Sequence, residues 1–323
     1  MYKRFTVLVV LSVFLCAPQV LRAQLNVSII DVGQGDAIYF EFPSGANALI
    51  DTGPGAPKIT AFLKAKGVTK IDHLVLTHPH VDHYAGLKGV FTNLEVSNFY
   101  DTRMDNLETA GDEKARSFAE IEPGCATYYP AVGDKLNWDP DVDIQVLNAC
   151  PDTVSSHKSA EINNCSIVLQ VRYNGNSMLF MGDAESTVED PLVAKYGSAL
   201  QSVILKVAHH GARFASSDLF LNAVKPTCAY VSVGLDNHFG HPHKEALDRL
   251  MASGANILMT TEGTQSFTIP GKGVPYVAPI PHNSDAYKAI FEDMTLTWDP
   301  QAPVSGAPAI TQLIAASAST PIR

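Results

Sequence analysis

Three imidazoles and one carboxylate lie within six residues of the sequence, at His78, His80, Asp82 and His83. They directly follow the apolar run His73–Leu76 and therefore stand at the end of a predicted strand. In an extended or looped chain, His78 and His80 point the same way, whereas the next two residues can turn toward a second position. Imidazole and carboxylate together suit zinc, manganese or iron and leave room for bound water. The spacing predicts a site for two metal ions rather than a histidine-rich surface loop.

A site for two metals also needs a bridging carboxylate and a distal imidazole. Asp183 follows the apolar run that begins at Met178, and the glycine before it lets the backbone approach closely, so Asp183 is the predicted bridge. An aspartate there could instead cap the helix predicted to follow it. His209 and His210 come after another apolar run, Val203–Val207. We predict His210 as the distal ligand because it precedes glycine, and His209 as a residue that contacts substrate or orients its neighbour.

The remaining histidine cluster consists of His238, His241 and His243, just before the last predicted helix. A helix amino terminus flanked by imidazoles can bind an anion through its free N–H groups and its dipole. His243 is therefore a predicted phosphate ligand or general acid, although these histidines could instead cap or solvate the turn. Asp36 and Asp51 are expected to support loops around the metals rather than to bind them.

Water activated by metal would make a protein nucleophile unnecessary. Two divalent ions bridged by Asp183, with zinc as the first candidate and manganese as the second, would lower the pKa of a shared water and hold a hydroxide toward a phosphorus or carbonyl centre. The predicted catalytic residues are Asp82, His209 and His243. The glycine-rich segment Asp31–Asp36 does not fit a P-loop, and the chain contains no GxSxG elbow, so nucleotide cradling and serine catalysis are unsupported.

Short apolar or alternating runs predict the strands that position these residues, and helical patterns lie between them. Because strands and helices interleave throughout, the sequence predicts a layered α/β body. Residues 101–140 carry weaker patterning and several turn signals, and we interpret them as an excursion at the rim of the site rather than as core. The predicted strands are Leu25–Asp31, Ala37–Phe42, Ala48–Asp51, His73–Thr77, Ile144–Leu147, Ser166–Tyr173, Met178–Met181, Val203–Val207, Thr227–Val233, Ile257–Thr260 and Gln265–Ile269. The predicted helices are Pro57–Lys66, Lys114–Glu122, Ser186–Tyr196, Ser217–Val224 and Lys244–Ala252.

The two ends of the chain differ in character from its middle. Residues 1–23 combine a basic start, an apolar run and a small residue, Ala23, which is the pattern of a signal peptide. We therefore expect an exported protein, periplasmic or extracellular, with no stable membrane insertion after cleavage. Residues 24–270 are the predicted main domain, and residues 271–323 a C-terminal extension that is partly low-complexity and expected to pack loosely.

The charge and the cysteine content bear on nucleic-acid binding and on disulfide formation. The formal net charge of −10 and the lack of a lysine or arginine cluster disfavour tight nonspecific binding to DNA, although nucleic acid stays a candidate substrate. Cys125, Cys150, Cys165 and Cys228 could form up to two disulfides in an oxidising compartment. The predicted pair is Cys150 with Cys165.

The metal motif, followed by a Gly-Asp pair and a late histidine at strand ends, resembles the metallo-β-lactamase superfamily. More narrowly, six ordered motifs resemble the hydrolase domain attached to the DNA-uptake channel ComEC and its stand-alone relatives. This resemblance covers Leu25 to Ile269 and implies an αββα sandwich, with two mixed sheets between outer helices and the site at one edge of the sheets. The motifs are Asp31–Ala37, Leu49–Gly53, Asn163–Ser166, Gly182–Glu185, His209–Gly211 and Gly240–His243.

The resemblance also implies how the ligands divide between two metals. The first metal would take His78, His80 and Asp183, and the second would take Asp82, His83, Asp183 and His210. Many members of the superfamily add a third histidine to the first metal. Asn163 and Asn164 occupy that place here, with His157 as an alternative somewhat upstream, and this departure is similar to the ComEC-type branch.

Three functions compete on this basis. The first is a phosphodiesterase or nuclease acting outside the cytoplasm. The second is a hydrolase of another small-molecule or polymer phosphoester or ester, such as a phosphocholine-type esterase on envelope polymers. The third is a binding module that keeps the fold without activity. A true lactamase ranks below these because the third histidine is absent, and the oligomeric state is left open.

Overall fold

The computed structural model of the chain describes residues 24–109, 111–150, 152, 154–235, 237–271 and 276–278. The predicted signal peptide, residues 1–23, and nearly all of the predicted extension, residues 271–323, lie outside the described residues. Among the helices of the described part, none is both long and apolar enough to cross a membrane.

Two mixed sheets carry the residues predicted to bind metal. In chain order the strands are β1 (Leu25–Ile29), β2 (Ile38–Glu41), β3 (Asn47–Ile50), β4 (Lys70–Val75), β5 (Glu95–Tyr100), β6 (Met104–Asn106), β7 (Ala126–Tyr128), β8 (Asp143–Asn148), β9 (Val154–Ser156), β10 (Val168–Tyr173), β11 (Asn176–Phe180), β12 (Ile204–Lys206), β13 (Cys228–Val231), β14 (Asn256–Met259) and β15 (Gln265–Ile269). The first sheet has the order β15-β1-β2-β3-β4-β5-β7, the second has the order β14-β13-β12-β11-β10-β8, and β6 pairs with β9. In each large sheet, antiparallel pairs give way to parallel ones, at β3–β4 and at β11–β12.

Helices cover the outer face of the first sheet and pack beside the second. They are α1 (Ala56–Ala65), α2 (Val81–Tyr84), α3 (Leu87–Asn93), α4 (Gly111–Ile121), α5 (Ser159–Asn164), α6 (Ser186–Tyr196), α7 (Asp218–Val224) and α8 (Lys244–Ala252), with short 3-10 turns at Gly197–Leu200, Ala208–Gly211 and Thr260–Glu262. Apolar residues of α1, α3 and α4, such as Leu63 and Val90, pack with outward-facing residues of the first sheet, such as Leu74. Beside the second sheet, α8 contacts β14, and α7 contacts both α6 and α8.

The core between the two sheets holds them face to face. The rings of Phe40, on β2, and Phe180, on β11, meet edge to face with their centroids 5.1 Å apart, and Tyr230 lies in the same cluster. All of β12 is buried, as expected for a parallel strand that is covered on both faces. The predicted αββα sandwich is confirmed.

All eleven predicted strands and all five predicted helices are present, with ends that differ by a few residues. The predicted bridge between Cys150 and Cys165 is also confirmed, and Cys125 and Cys228 are free thiols. The interpretation of residues 101–140 is wrong in part. In that segment β7 extends the first sheet, and Trp138, 5% exposed, belongs to the central core.

Candidate metal centre

The loop after β4 is held in place by Asp51, which follows β3. The Asp51 carboxylate accepts hydrogen bonds from the backbone N–H and the hydroxyl of Thr77, at 2.8 and 2.7 Å. Its Oδ2 also lies 2.8 Å from Nδ1 of His83, so Nε2 of that ring is left to face the centre. The parallel register of β3 and β4 brings Asp51 to this loop. Asp51 therefore supports the loop of the metal motif. It also lies in a group with Asp36 and His83 that could hold a metal, so its exclusion as a ligand stays a prediction.

Asp183 follows β11, and its carboxylate lies where the histidines converge. Gly182, just before it, has a φ of +54°, and a Cβ there would come within 2.9 Å of the Ser166 side chain. Glycine is therefore required at this close approach. The Oδ2 atom of Asp183 is close to the Nε2 atoms of four histidines, at 3.3 Å from His83, 3.5 Å from His210, 3.7 Å from His78 and 3.8 Å from His209.

The six predicted ligands fall into two groups that meet at Asp183. Within each group the ligand atoms lie within 4.8 Å of one another, and the groups are His78, His80 and Asp183, and Asp82, His83 and His210. Nε2 of His83, Nε2 of His210 and Oδ1 of Asp183 are buried, with no hydrogen-bond partner among the described residues. Buried polar atoms are normally paired, and zinc and manganese accept imidazole nitrogens and carboxylate oxygens as ligands. These residues therefore fit divalent ions.

His209 and His210 follow β12, and both have a left-handed backbone, with φ of 45° and 54°. This conformation costs a non-glycine residue roughly 1–2 kcal/mol. Hydrogen bonds hold the turn, because the His209 N–H donates to the Gly182 carbonyl at 3.1 Å and His210 Nδ1 donates to the Ser232 carbonyl at 2.8 Å. The other nitrogen of His210 consequently faces Asp82, at 3.3 Å. The structure thus brings both histidines of the pair to the centre.

The sequence also matches a known protein family. Residues 30–234 match the family model of the metallo-beta-lactamase superfamily. The chain belongs to this superfamily. It has the metal-dependent hydrolase fold of that family, with histidine and aspartate groups that could hold metal.

Curated relatives are similar to this chain over most of its length. Competence protein ComA of Neisseria gonorrhoeae is 32% identical over 77% of this chain and 33% of its own length. ComE operon protein 3 of Bacillus subtilis is 28% identical over 80% of this chain and 34% of its own. Recombination protein 2 of Haemophilus influenzae is 26% identical over 76% of this chain and 29% of its own. The chain thus spans about a third of the length of these relatives, and the predicted resemblance to competence proteins is confirmed.

Solved structures with the same fold have diverged far in sequence. The metallo-beta-lactamase fold protein YhfI from Bacillus subtilis is 12% identical with a TM-score of 0.51, covering 76% of this chain and 100% of its own. CmlA, a diiron beta-hydroxylase from Streptomyces venezuelae, is 15% identical with a TM-score of 0.51, covering 77% of this chain and 54% of its own. These similarities establish the fold alone.

This member of the superfamily has Asn163 and Asn164 at the place predicted for a third histidine. Asn163 is 1% exposed, its Nδ2 lies 3.3 Å from Nδ1 of His209, and its Oδ1 has no hydrogen-bond partner within the described residues. Asn164 accepts a hydrogen bond from the Glu185 N–H at 3.3 Å. His157 is exposed and belongs to none of the candidate metal groups of the described chain.

The carboxylates and imidazoles of the centre shift each other's pKa values. Burial opposes charging of the rings, yet the carboxylates of Asp183 and Asp51 hold the pKa of His83 well above its usual range. For His210, burial is likewise outweighed by Asp183, and the pKa rises to about 10. Burial and the neighbouring charge of His83 lower the pKa of His78. The buried carboxylates thus favour positive charge at His83 and His210, and a divalent ion bound there would take over that role.

A buried ion pair stands behind the second ligand group. Lys206 and Asp36 are 0% and 1% exposed, with Nζ 2.7 Å from Oδ2, and Oδ1 of Asp36 lies 3.4 Å from Nδ1 of His210. The Asp36 N–H donates to the Asp82 carbonyl at 3.3 Å. A Cβ on Gly35 would lie 2.1 Å from that same carbonyl oxygen. Asp36 supports the centre, as the sequence predicted. Sequence reasoning missed its partner Lys206, although a single cation inside an apolar strand is a signal that could have indicated a buried ion pair.

The late histidine cluster reaches the centre through His241 rather than through His243. The His241 ring centroid lies 5.1 Å from that of His209 and 6.1 Å from that of His210. His243 is one ring farther out, 5.0 Å from His241. Its side chain makes no capping hydrogen bond to α8, so the capping alternative for His243 is not supported. Burial, with the nearby charge of Arg213, lowers the pKa of His243.

Proposed function

We propose that this protein is an exported, metal-dependent phosphodiesterase that cleaves nucleic acid strands. The observation that carries the proposal is the position of the Asp183 carboxylate between two groups of histidine and aspartate ligands. Relatives named competence and recombination proteins support a nucleic acid substrate. Export is supported by the pattern of residues 1–23 and by the Cys150–Cys165 disulfide, because disulfides persist in oxidising compartments.

In this proposal the two ligand groups hold two divalent ions, zinc as first choice and manganese as second. His78, His80 and Asp183 would hold one ion, and Asp82, His83 and His210 would hold the other, with Asp183, 3.3 Å from His83 and 3.5 Å from His210, near enough to serve both. When bound, such a pair supplies a water that ionises near neutral pH and a Lewis acid for the phosphoryl oxygens.

The protein's own contribution is to fix the tautomer and direction of each ring. Asp51 accepts from Nδ1 of His83, and the Ser232 carbonyl accepts from Nδ1 of His210, so the Nε2 lone pairs face the centre. Such partners orient metal-binding imidazoles and raise their basicity. Nδ1 of His209 lies 2.7 Å from Oε1 of Glu185, which directs the other nitrogen of that ring inward.

The remaining predicted catalytic residues act on the substrate side. Asp82, with 20% of its side chain exposed, is the most accessible carboxylate of the two ligand groups and lies where the substrate enters. We assign His209 to a non-bridging phosphoryl oxygen, since its Nε2 is 3.8 Å from Oδ2 of Asp183. His243, farther out along the rings, would contact a neighbouring phosphate; of the two predicted roles this is the better supported, because a lowered pKa disfavours a general acid.

A second candidate is a hydrolase of smaller phosphoesters, such as phosphocholine groups on envelope polymers. The acidic chain, with a formal charge of −10, favours a substrate that does not need a broad basic surface.

The test is metal analysis of the mature protein, paired with hydrolysis of bis-p-nitrophenyl phosphate and of single-stranded DNA in added zinc or manganese. Asp183→Asn is the variant, and Asp190→Asn, an exposed aspartate on α6, is the matched control. We expect about two ions per chain and cleavage that is lost only in Asp183→Asn.

Each other result points to a different function. Hydrolysis of the small ester without cleavage of DNA would favour the second candidate. Absence of stoichiometric metal, together with identical traces for the wild type and Asp183→Asn, would leave a non-catalytic binding module.

A further inference from the structure

A row of aromatic rings runs outward from the metal centre. His241 contacts the ring of His209, with centroids 5.1 Å apart. The Phe239 ring is stacked toward His241, with centroids 5.7 Å apart and planes 20° apart. The His238 ring in turn lies 4.0 Å from Phe239. The row therefore connects the candidate phosphodiester site with solvent.

Exposure increases along this row. His210, at its inner end, is 1% exposed, whereas Phe239 is 51% exposed. An exposed phenylalanine beside a candidate active site has no packing role in the core and offers an apolar ring to a ligand. The row presents exposed aromatic rings next to the proposed site of cleavage.

A cleft continues from the outer end of the row. It has a volume of about 390 Å³, and its lining includes His238, Asn237, Gln34 and Lys58. Nε2 of Gln34 is buried and has no hydrogen-bond partner among the residues that the structure describes. The cleft is within the range of small-ligand sites, roughly 300–1,000 Å³, and can accept a polar group beyond the rings.

We propose that His241, Phe239 and His238 form a stacking surface for the bases of a single-stranded nucleic acid whose phosphate lies at the metal centre. This inference rests on the proposed function and names its substrate class. Every base has a flat aromatic face, so stacking on protein rings tolerates any sequence. The rings follow one another in a row, which is a poor match for choline, since quaternary ammonium groups are held in cages of several aromatic rings.

Stacking also explains how an acidic protein can bind an anionic strand despite their like charges. Basic residues of this region are already paired, Arg213 with Glu245 at 3.0 Å, Lys244 with Asp248 at 2.7 Å and Lys58 of the cleft with Asp31 at 2.8 Å. Few phosphate contacts are therefore available. Stacking does not release phosphate counterions, so its share of the affinity depends weakly on salt.

The experiment measures binding without cleavage, using the full mature chain in EDTA. The probes are a dT oligonucleotide carrying one 2-aminopurine, whose fluorescence falls on stacking, and a labelled oligonucleotide of the same length made of abasic residues. Phe239→Leu removes the aromatic ring, Phe239→Trp keeps one, and Ile121→Ala, 75% exposed at the end of α4, is the surface control.

We expect the wild type, Phe239→Trp and Ile121→Ala to prefer the base-containing strand about tenfold, equivalent to about 1.4 kcal/mol. In Phe239→Leu the preference should fall to about one and the quenching should disappear. Raising NaCl from about 50 to 200 mM should weaken wild-type binding far less than the 10³-fold or more typical of many phosphate contacts.

Three results would overturn the stacking surface. They are absence of quenching in the wild type, an unchanged preference in Phe239→Leu, or equal binding of both strands by all variants. Displacement of the probe by phosphocholine, lost in Phe239→Leu, would assign the rings to a cation instead. Because binding is measured without metal, this experiment is independent of the cleavage test with Asp183→Asn. Stacking can be confirmed when the cleavage test fails, and stacking can be refuted when the cleavage test succeeds.

Discussion

Lys206 and Asp36 form a deeply buried ion pair, and its removal has a calculable effect. Both side chains are at most 1% exposed, and Lys206 Nζ is 2.7 Å from Asp36 Oδ2. The ammonium also donates to the Val207 carbonyl at 2.9 Å. Lys206→Met keeps an unbranched apolar chain but leaves the Asp36 carboxylate buried without its cation. Removing one partner of such a pair costs about 3–5 kcal/mol.

The structure places the expected loss at the lower end of that range. Nδ1 of His210 lies 3.4 Å from Oδ1 of Asp36 and can take part of the charge. We therefore expect Lys206→Met to lower the free energy of unfolding by about 3 kcal/mol at pH 8.

The sign of the pH dependence follows from Asp36. Burial alone would raise its pKa, but Lys206 and His210 hold it well below the usual range. In the wild type the contribution of Asp36 is therefore present above the unfolded-state pKa of about 4 and is lost only in stronger acid. In Lys206→Met burial is less opposed, so the folded pKa rises above the unfolded one. Stability of the variant should then increase, relative to wild type, as the pH falls from about 8 to 5.

The assay is urea unfolding followed by circular dichroism in EDTA at both pH values, for wild type, Lys206→Met, Asp36→Asn and the double variant. The double variant removes both charges, and we expect it to be more stable than the sum of the two single losses predicts, by more than about 1 kcal/mol. A loss below about 1 kcal/mol in Lys206→Met at pH 8, or strict additivity of the two variants, would refute the reasoning.

Two further predictions concern the disulfide and His73. Reducing the Cys150–Cys165 disulfide, which joins residues 15 positions apart, should lower the free energy of unfolding by about 3 kcal/mol. Thermal unfolding with and without dithiothreitol measures this loss, and the Cys150→Ser/Cys165→Ser variant should not respond to the reductant. Equal transitions for oxidised and reduced wild type would contradict the prediction. Burial lowers the pKa of His73 to about 4, so its stabilising contribution is present above the unfolded pKa of about 6.5 and is lost as the pH falls toward 4. His73→Phe should flatten the pH dependence of stability in that window, and superimposable profiles would count against the assignment.

The strands were predictable wherever apolar residues alternate or run together, and β5 shows where that signal fails. Its sequence carries Ser97 and Asn98 at the centre, although Val96 and Phe99 are buried. The Asn98 amide donates to the Asp72 carbonyl at 2.8 Å, so a polar residue is satisfied inside the sheet by its neighbour. Such pairing depends on tertiary register and does not appear in a hydrophobic pattern.

The ligand groups were predictable because four of their residues are nearly contiguous and the others end apolar strands. Glu185, Asn163 and Lys206 contribute through contacts made only in the folded chain. Lys206 meets Asp36 across 170 positions of sequence, and no local spacing encodes that meeting. In the sequence, the place of His243 before a helix favours it over His241, whereas in the structure the His241 ring lies closer to His209 and His210.

The left-handed pair His209 and His210 shows why local rules break at this position. Two consecutive non-glycine residues in that region together cost roughly 2–4 kcal/mol, although histidine is found there more often than most residues. The fold tolerates this cost because the turn aims one ring at Asp82 and sets the other beside Glu185. An ordinary helical or extended backbone after β12 would point the two rings in other directions, and one group would lose its distal imidazole. Violations of local preference are expected at functional sites, and here the strain lies in the residues that complete the candidate metal centre.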